Sequence, residues 1–317
     1  MSTTAAISNY IEHNRGLGKR FRWEALVLLA FARSVGDTPL LKIKPEMISR
    51  FIDGKGNRDI TKRMKYRVLA RFFRFVVARG RLKASPVPFI EWKRSSPPRT
   101  PHIYSEDELK RLLAAVPEAT GPQSHVDAET LRTYLLLLYG AGLRRGEGRR
   151  LKIEDVDLGQ SLIHVRETKF FKTRIVPLST SLYTAITPFV AKQRNSAVDC
   201  GNVDGGSSLF VKRNGRPLSD SAIGSVFKRL RRIAGLAREG DARNQPRLHD
   251  LRHSAAVHRV IAWYRAGADV NDLLPKLATY LGHKDLSGTQ HYLTMTEELL
   301  AEAGRRFETF ARGPRHG

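Results

Sequence analysis

The sequence predicts a mainly α-helical protein with a small β-sheet, made of a helical N-terminal domain and a mixed α/β (α+β) C-terminal domain. Three observations support this prediction. Apolar residues recur at helical spacing through most of the 317 residues. Residues 161–179 alternate between apolar and polar residues, as a hairpin or a three-stranded sheet does. Residues 93–104 are rich in proline and serine and separate two halves of a chain too long for one typical core.

The N-terminal domain, residues 1–92, is predicted to be all-helical and to carry a basic face. Its segment 54–83 holds eleven basic residues and one acidic residue, Asp59. Helical spacing within this segment places Leu69, Phe72, Phe73 and Val76 on one side and Arg63, Arg67, Arg71 and Arg74 on the other. Such a stripe is usually a solvated charged face, but acidic residues hardly interleave with it here. We therefore expect these four arginines to contact DNA.

A linker is predicted at residues 93–104, KRSSPPRTPHIY, and a second domain at residues 105–317. Directly after the linker, Ser105 and Glu108 have the spacing of a capping box, and the turn that follows is acidic. A helix and a new domain are therefore expected to begin there. The stretch 161–179 supplies the small sheet, and most of the remainder has helical period, including a C-terminal tail helix.

The composition indicates a nucleic-acid partner. The chain has 55 basic and 31 acidic side chains, a net charge of +24. Such an excess makes the compact state repel itself, and a polyanionic backbone offsets that repulsion. No apolar run is long enough to span a bilayer, and the N-terminus has no secretory pattern. With a single cysteine, Cys200, an intrachain disulfide is excluded, so we expect a cytoplasmic, nucleoid-associated protein without a membrane partner.

Four separated stretches hold residues able to bind or attack a phosphodiester. Each is a weak signal alone, because pairs such as HxxR arise often by chance. The stretches are GAGLRRGEGRRLKIEDVDL (140–158) with Arg144 and Glu147, TKFFKTRIVPL (168–178) with Lys169 and Lys172, LHDLRHSAAVHR (248–259) with His249 and Arg252, and YLGHKDLSGTQHYL (280–293) with His283 and Tyr292.

Together and in this order, the stretches resemble the tyrosine recombinase (phage integrase) family. The matching residues are AGLRRGE around Arg144, TK at 168–169 followed by RIVPL, HDLRH, and LGH followed nine residues later by the tyrosine of TQHYL. The resemblance covers nearly the whole chain. It implies a core DNA-binding (SAM-like) domain at residues 1–92 and a tyrosine-recombinase catalytic domain at residues 105–317.

The residue types suit attack on a phosphodiester, because negative charge grows on the phosphoryl oxygens in the transition state. Guanidinium groups bind such oxygens in pairs, so Arg144 and Arg252 are the expected clamp, with His249 and His283 as further donors. No carboxylate cluster for metal ions is evident, and we expect no metal and no cofactor. Glu147 is expected to orient the clamp.

The resemblance implies that Tyr292 is the nucleophile and His249 its general base, since a phenol with a pKa near 10 needs help to react at pH 7. Lys169 aligns with the family's hairpin lysine, which protonates the departing 5′-hydroxyl, and Lys172 is the alternative. The product would be a 3′-phosphotyrosyl link, reversible without ATP. Two other tyrosines, Tyr264 and Tyr280, fit apolar helix positions, where core packing is the expected role. The family also implies double-stranded DNA as substrate, a homotetramer on DNA, and companion recombinases in some systems.

Three features depart from the family pattern. Gly148, Arg149 and Arg150 stand where the family has apolar residues, so the packing of that helix is in question. Phe170 and Phe171 occupy hairpin positions that are often glycine and polar. The insertion 262–283 resembles mobile-element recombinases and favours transposition over chromosome maintenance. The amphipathic tail, residues 297–310, is expected to dock either on a neighbouring protomer or on its own domain.

Three other functions share some of these sequence features. HDLRH is close to the zinc-protease pattern HExxH, but aspartate replaces the required glutamate and a protease leaves the +24 charge unexplained. A type IB topoisomerase shares the chemistry and would relax supercoils without a defined site. A DNA-binding regulator of the same fold would lack one of the catalytic residues, and none is missing.

Overall fold

A computed structural model describes residues 1–36, 38–54, 59–92, 99–166, 173–199, 206–241, 244–283, 299–302 and 304–305. The chain divides into two compact units, Met1–Pro98 and Arg99–Gly317. The described residues are mostly helical, and their only sheet is small, so the predicted fold class is confirmed.

The first unit is a bundle of four helices around a core rich in aromatic residues. The helices are α1 (Thr3–Gly16), α2 (Arg22–Val35), α3 (Pro45–Asp53) and α4 (Asp59–Ala78). Three phenylalanines, Phe31, Phe72 and Phe73, are completely buried in this core. Ser2 begins α1 by accepting a hydrogen bond from the backbone nitrogen of Ala5 at 3.2 Å.

The longest helix of this unit, α4, is amphipathic as its spacing predicts. Leu69, Phe72, Phe73 and Val76 are buried, whereas Arg67, Arg71 and Arg74 are exposed. Arg63 is half-buried, with its guanidinium carbon 5.4 Å from the centre of the Trp92 ring. The apolar side of α4 therefore packs on the bundle, and three of the four arginines face solvent in this unit. Contact of this face with DNA stays a prediction.

The second unit combines eight helices with a three-stranded sheet among the described residues. The helices are α5 (Glu106–Ala114), α6 (Val116–Ala119), α7 (Ala128–Gly140), α8 (Arg145–Arg149), α9 (Thr180–Asp199), α10 (Asp220–Ile233), α11 (Leu248–Arg265) and α12 (Val270–Leu281). The strands are β1 (Val156–Asp157), β2 (Leu162–Val165) and β3 (Arg174–Pro177), antiparallel in the order β1-β2-β3. In the β2–β3 pair, Val165 at the end of β2 lies opposite Arg174 at the start of β3.

The predicted capping box opens α5. The Ser105 hydroxyl accepts from the backbone nitrogen of Glu108 at 3.1 Å, and the Glu108 carboxylate accepts from that of Ser105 at 2.9 Å. Two of the backbone donors that a helix start leaves unpaired are thereby satisfied.

Residues 99–104, which the sequence places at the end of the linker, pack on the second unit. Tyr104 is completely buried, and its backbone nitrogen donates to the Ser254 hydroxyl at 2.8 Å. Its own hydroxyl donates to the backbone oxygen of Arg247 at 3.2 Å. Proline content marks where a helix cannot continue, but it does not tell which core an extended segment joins.

The start of the tail packs on its own unit. Leu299 is completely buried beside Val257 and Val260 of α11. Glu302 accepts from Arg265 at 3.1 Å and from Arg305 at 2.6 Å. Phe307 and Phe310, two apolar residues of the tail, lie outside the described residues, and so does the candidate nucleophile Tyr292.

None of the helices in the described ranges combines the length and apolar character needed to cross a bilayer.

Candidate active site

Three arginine side chains converge on the C-terminal end of α12. Each donates to a different backbone oxygen, and the three oxygens are consecutive: Arg174 Nε to Tyr280 at 3.0 Å, Arg252 Nη2 to Leu281 at 2.6 Å and Arg144 Nη2 to Gly282 at 2.6 Å. The last carbonyls of a helix lack partners within the helix and lie at the negative end of its dipole. The end of α12 therefore holds three guanidinium groups in place just before His283.

Arg144 directly precedes α8 as its N-cap residue. Its backbone nitrogen donates to Glu147 Oε2 at 2.9 Å, and its Nη1 donates to Glu147 Oε1 at 2.7 Å. Its side chain remains 33% exposed. Arg144 is thus oriented on one side by the protein and open to a ligand on the other.

Glu147 is the buried anion of a cluster that it forms with Arg144 and Arg174, and its side chain is only 3% exposed. Burial alone would raise the pKa of this carboxyl, but hydrogen bonds and charge from Arg174, followed by hydrogen bonds from Arg144, lower that pKa to about 2. Glu147 is therefore a fixed negative charge near neutral pH. A group in that state orients its neighbours and does not supply protons.

Arg174 belongs to this cluster, a role that the sequence motifs did not predict. Its Nη1 and Nη2 donate to Glu147 Oε1 and Oε2 at 3.1 and 2.8 Å. The available signal was the arginine of RIVPL, which directly follows the hairpin loop that carries Lys169. Its contacts are with residues 27 and 106 positions away, which sequence spacing does not reveal.

Arg252 is held from the first turns of α11 and is only 2% exposed. Besides Leu281, it donates to the backbone oxygen of Gly142 at 2.6 Å. Gly142 has a positive φ of 58°, and a Cβ there would lie 2.8 Å from Leu281 Cδ2. Because only glycine fits this position, the AGLR motif brings the Gly142 carbonyl within reach of Arg252.

His249 lies one helical turn before Arg252 and is exposed to solvent. Partial desolvation of the imidazole by the surrounding protein lowers the pKa of His249. The positive charges of Arg252, Arg247 and Arg144 lower this pKa further, whereas the negative charge of Asp250 raises it. The ring also meets that of His253 edge-on, with centroids 4.8 Å apart. This lowered pKa favours the neutral form of His249 near pH 7, which is the state a proton acceptor needs.

His283 follows Gly282 at the end of α12 and is half-buried. Its backbone nitrogen donates to the carbonyl of Ala278 at 2.9 Å. The structure therefore brings Arg144, Glu147, Arg252 and His283 to one helix end. Lys169, Lys172 and Tyr292 lie outside the described residues, so their roles stay predictions.

The departure at Gly148 has a structural explanation. A Cβ at Gly148 would lie 3.2 Å from Tyr134 Cε2 and 3.4 Å from Leu138 Cδ2, so the ring of Tyr134 fills the space of a side chain. The Tyr134 hydroxyl then donates to the backbone oxygen of Arg145 at 2.7 Å. Packing lost at one position is thus supplied by a large residue of α7, and α8 is held in place.

The zinc-protease alternative fits the geometry of HDLRH poorly. The aspartate of this motif, Asp250, is completely buried and accepts from the backbone nitrogen of Arg247 at 2.9 Å. It also pairs with the side chains of Arg247 at 3.3 Å and Arg99 at 3.7 Å. A carboxylate engaged in this way does not reach a water molecule beside His249 and His253.

The family profile that matches the chain is that of the phage integrase family, over residues 103–298. A Sinorhizobium fredii protein assigned as an integrase/recombinase is 33% identical over 309 residues, which cover 96% of each chain. Tyrosine recombinase XerC of Oceanobacillus iheyensis is 26% identical over 298 residues, covering 93% of this chain and 90% of the relative.

Solved structures show the same fold. The integrase of transposon Tn1549, in complex with transposon right end DNA, superposes with a TM-score of 0.64 at 19% identity, covering 98% of this chain and all of that one. A lambda integrase dimer bound to a core site gives a TM-score of 0.57 at 19% identity, covering 92% of this chain and 77% of that one.

Proposed function

The chain belongs to the phage integrase family, and on that premise we propose that it is a site-specific DNA recombinase of the integrase or transposase type. The observation that supports this most is the pair Arg144 and Arg252, held by adjacent carbonyls at the end of α12, next to His283. Two fixed guanidinium groups beside an imidazole form a site for a phosphoryl group that gains negative charge.

Strand cleavage begins with attack of the Tyr292 oxygen on phosphorus. A bond forms between that oxygen and phosphorus, and the phenolic proton passes to neutral His249. The bond from phosphorus to the 5′-oxygen breaks, and that oxygen takes a proton from Lys169, with Lys172 as the alternative donor. The product is a 3′-phosphotyrosyl link and a free 5′-hydroxyl.

Strand joining is the reverse of cleavage with a different 5′-hydroxyl. One phosphorus–oxygen bond replaces another of similar energy, so no ATP is consumed. The charge that a metal ion would neutralise is assigned to Arg144 and Arg252, with His283 as a further donor, so the reaction is proposed to be metal-independent.

Double-stranded DNA is the proposed substrate. The net charge of +24 supports it, together with the exposed arginines Arg67, Arg71 and Arg74 of α4. The solved relatives include a lambda integrase tetramer bound to a Holliday junction, and we extend that assembly to a homotetramer of this chain on DNA. By the same extension from relatives, we propose that the protein serves a mobile element, acts at the nucleoid and needs companion recombinases.

The functional test compares recombination with relaxation. Purified protein is incubated, with EDTA present, with plasmids that carry two copies of the DNA flanking its own gene, and with a supercoiled plasmid that lacks them. We expect deletion or inversion between the two copies, with little relaxation of the plasmid that lacks them.

Relaxation of both plasmids without recombinant products would favour the topoisomerase alternative. DNA binding with neither product would favour the regulator of the same fold. Recombination that EDTA abolishes would contradict the metal-independent mechanism.

A further inference from the structure

Arg174 is fully engaged by the protein. All three nitrogens of its guanidinium have protein acceptors: Nη1 and Nη2 donate to the two oxygens of Glu147, and Nε donates to the carbonyl of Tyr280. Its side chain is only 10% exposed, compared with 33% for Arg144. Its contacts with both oxygens of Glu147 and with the Tyr280 carbonyl therefore place Arg174 to hold other residues of the site.

The residue that Arg174 holds is also the one that orients Arg144. Glu147 Oε1 accepts from Arg144 Nη1 at 2.7 Å and from Arg174 Nη1 at 3.1 Å. Glu147 Oε2 accepts from the Arg144 backbone nitrogen at 2.9 Å and from Arg174 Nη2 at 2.8 Å. A carboxylate has about four acceptor positions. Four hydrogen bonds from two arginines occupy them, so the carboxylate has one preferred orientation.

We propose that Arg174 is a positioning residue, which fixes Glu147 and through it the Arg144 guanidinium in the orientation that meets the scissile phosphate. The inference rests on the proposed recombinase function and adds a residue to its machinery. Because Arg174 begins β3, the same contacts tie the sheet to the end of α12.

Removal of Arg174 leaves Glu147 with a single cationic partner. The buried carboxylate then has two unfilled acceptor positions and is free to turn toward Arg144, which changes the direction of the Arg144 guanidinium. Lysine is not an adequate substitute, because one ammonium group does not span both carboxylate oxygens and the Tyr280 carbonyl. Misplacement of a catalytic group by about 1 Å reduces a rate by roughly 100-fold.

The test uses the charge of the substrate phosphate. The wild-type cleavage position is first mapped on DNA from the flanks of the gene. Covalent adduct formation is then measured on two DNAs, one with the natural phosphodiester and one with a methylphosphonate at that position. The methyl group replaces a charged oxygen, so less negative charge has to be stabilised and the guanidinium matters less.

We expect Arg174→Ala and Arg174→Lys to slow cleavage of the phosphodiester by about 10- to 100-fold and that of the methylphosphonate by less than about 3-fold. Arg144→Ala should show the same selective loss. The control is Arg166→Ala, which removes an arginine paired with Asp155 at 2.7 Å next to the same sheet. This variant should keep the wild-type ratio of the two rates.

Equal losses on both DNAs in variants that melt like wild type would overturn the assignment of Arg174, because a general structural defect does not depend on substrate charge. If Arg174→Ala does not fold, Arg174→Lys carries the comparison. Absence of any adduct with the wild-type protein would instead overturn the recombinase proposal, and this inference with it.

Discussion

Gly282 lies directly against Arg174: a Cβ built on Gly282 would be 3.0 Å from Arg174 Nη1 and 3.1 Å from its Cδ. Gly282 also has a positive φ of 69°, where side chains other than glycine are strained. The glycine of LGH thus ends α12 and leaves room for the guanidinium that fixes Glu147.

The first prediction concerns Gly282→Ala. The left-handed backbone alone should lower the free energy of unfolding by about 1–2 kcal/mol. The clash with Arg174 should add roughly 1 kcal/mol or more and should slow cleavage, because Arg174 moves. Urea denaturation and adduct formation measure the two effects.

Gly267→Ala is the matched control. Gly267 follows α11 with a positive φ of 68°, but no heavy atom lies within 4 Å of its built Cβ. In this variant the free energy of unfolding should fall only by the contribution of the strained backbone, and the cleavage rate should not change. Equal effects of the two substitutions would show that the contact between Gly282 and Arg174 has no role.

The second prediction separates stability from catalysis at the two clamp arginines. Arg252 is buried and bonds two carbonyls, so Arg252→Ala should lower the free energy of unfolding by roughly 2–4 kcal/mol. Arg144 is partly exposed, and its loss leaves Glu147 paired with Arg174, so Arg144→Ala should lower it by about 1 kcal/mol or less.

Both substitutions should nevertheless slow adduct formation on the natural phosphodiester by at least about 10- to 100-fold, provided that Arg252→Ala is assayed at a temperature where it remains folded. Chemical denaturation and covalent trapping on the same preparations provide the comparison. An Arg144→Ala protein with full cleavage activity would remove Arg144 from the clamp.

The third prediction is that the cleavage rate falls at acid pH because His249 gains a proton; this fall is called the acid limb of the rate profile. Its pKa is lowered in the folded protein, so the native state binds its proton less readily than the unfolded state, whose imidazole pKa is about 6.5. The native state therefore loses stability relative to the unfolded state as the pH falls through about 6.5 toward the lower pKa of the folded protein. The charged groups that face the ring are Arg252, Asp250, Arg247 and Arg144.

Single-turnover cleavage of prebound DNA should accordingly fall as the pH is lowered and the imidazole gains a proton, with a midpoint below about pH 6.5. Glu147, with a pKa of about 2, keeps its charge over this whole range and is not the source of the limb. His249→Ala should be slow and lack the limb, whereas His13→Ala in the first unit should retain it. A limb that persists in His249→Ala would assign the proton transfer to another group.

The fourth prediction concerns the exposed face of α4. The triple variant Arg67→Ala, Arg71→Ala, Arg74→Ala should bind DNA more weakly. The slope of the logarithm of the binding constant against the logarithm of the salt concentration should become shallower by about one per lost phosphate contact. Equilibrium binding between low and high salt measures the slope. The control removes three exposed charges elsewhere in the same unit, at Lys42, Lys44 and Arg50. Equal changes in the two triple variants would indicate a general charge effect and no specific role for α4.

The sequence was sufficient for features that depend on local spacing. The capping box at Ser105 and Glu108 needs residues three positions apart, and the structure contains it. The two sides of α4 follow from the helical period. The pair β2 and β3 of the small sheet followed from the alternation in residues 161–179, whereas β1 (Val156–Asp157) lies before that segment.

The contacts of the candidate site could not be predicted, because they join residues far apart in the chain. Arg144 and Gly282 are 138 positions apart, and Arg252 and Gly142 are 110 positions apart. Motif order predicted which residues form the site but not which atoms they bond. Arg174 was missed for this reason, and the packing of Tyr104 on α11 was missed because composition alone described residues 93–104.

The central claim, that Tyr292 attacks the DNA, is tested most directly by covalent trapping. Wild type, Tyr292→Phe and Tyr280→Phe are incubated with nicked DNA from the flanks of the gene in EDTA, and the products are separated in SDS. Tyr280 is the control because its hydroxyl already donates to the carbonyl of Gly140 at 3.3 Å. We predict an SDS-resistant protein–DNA adduct with wild type and Tyr280→Phe and none with Tyr292→Phe. An adduct formed by Tyr292→Phe would contradict the account and assign the nucleophile to another residue.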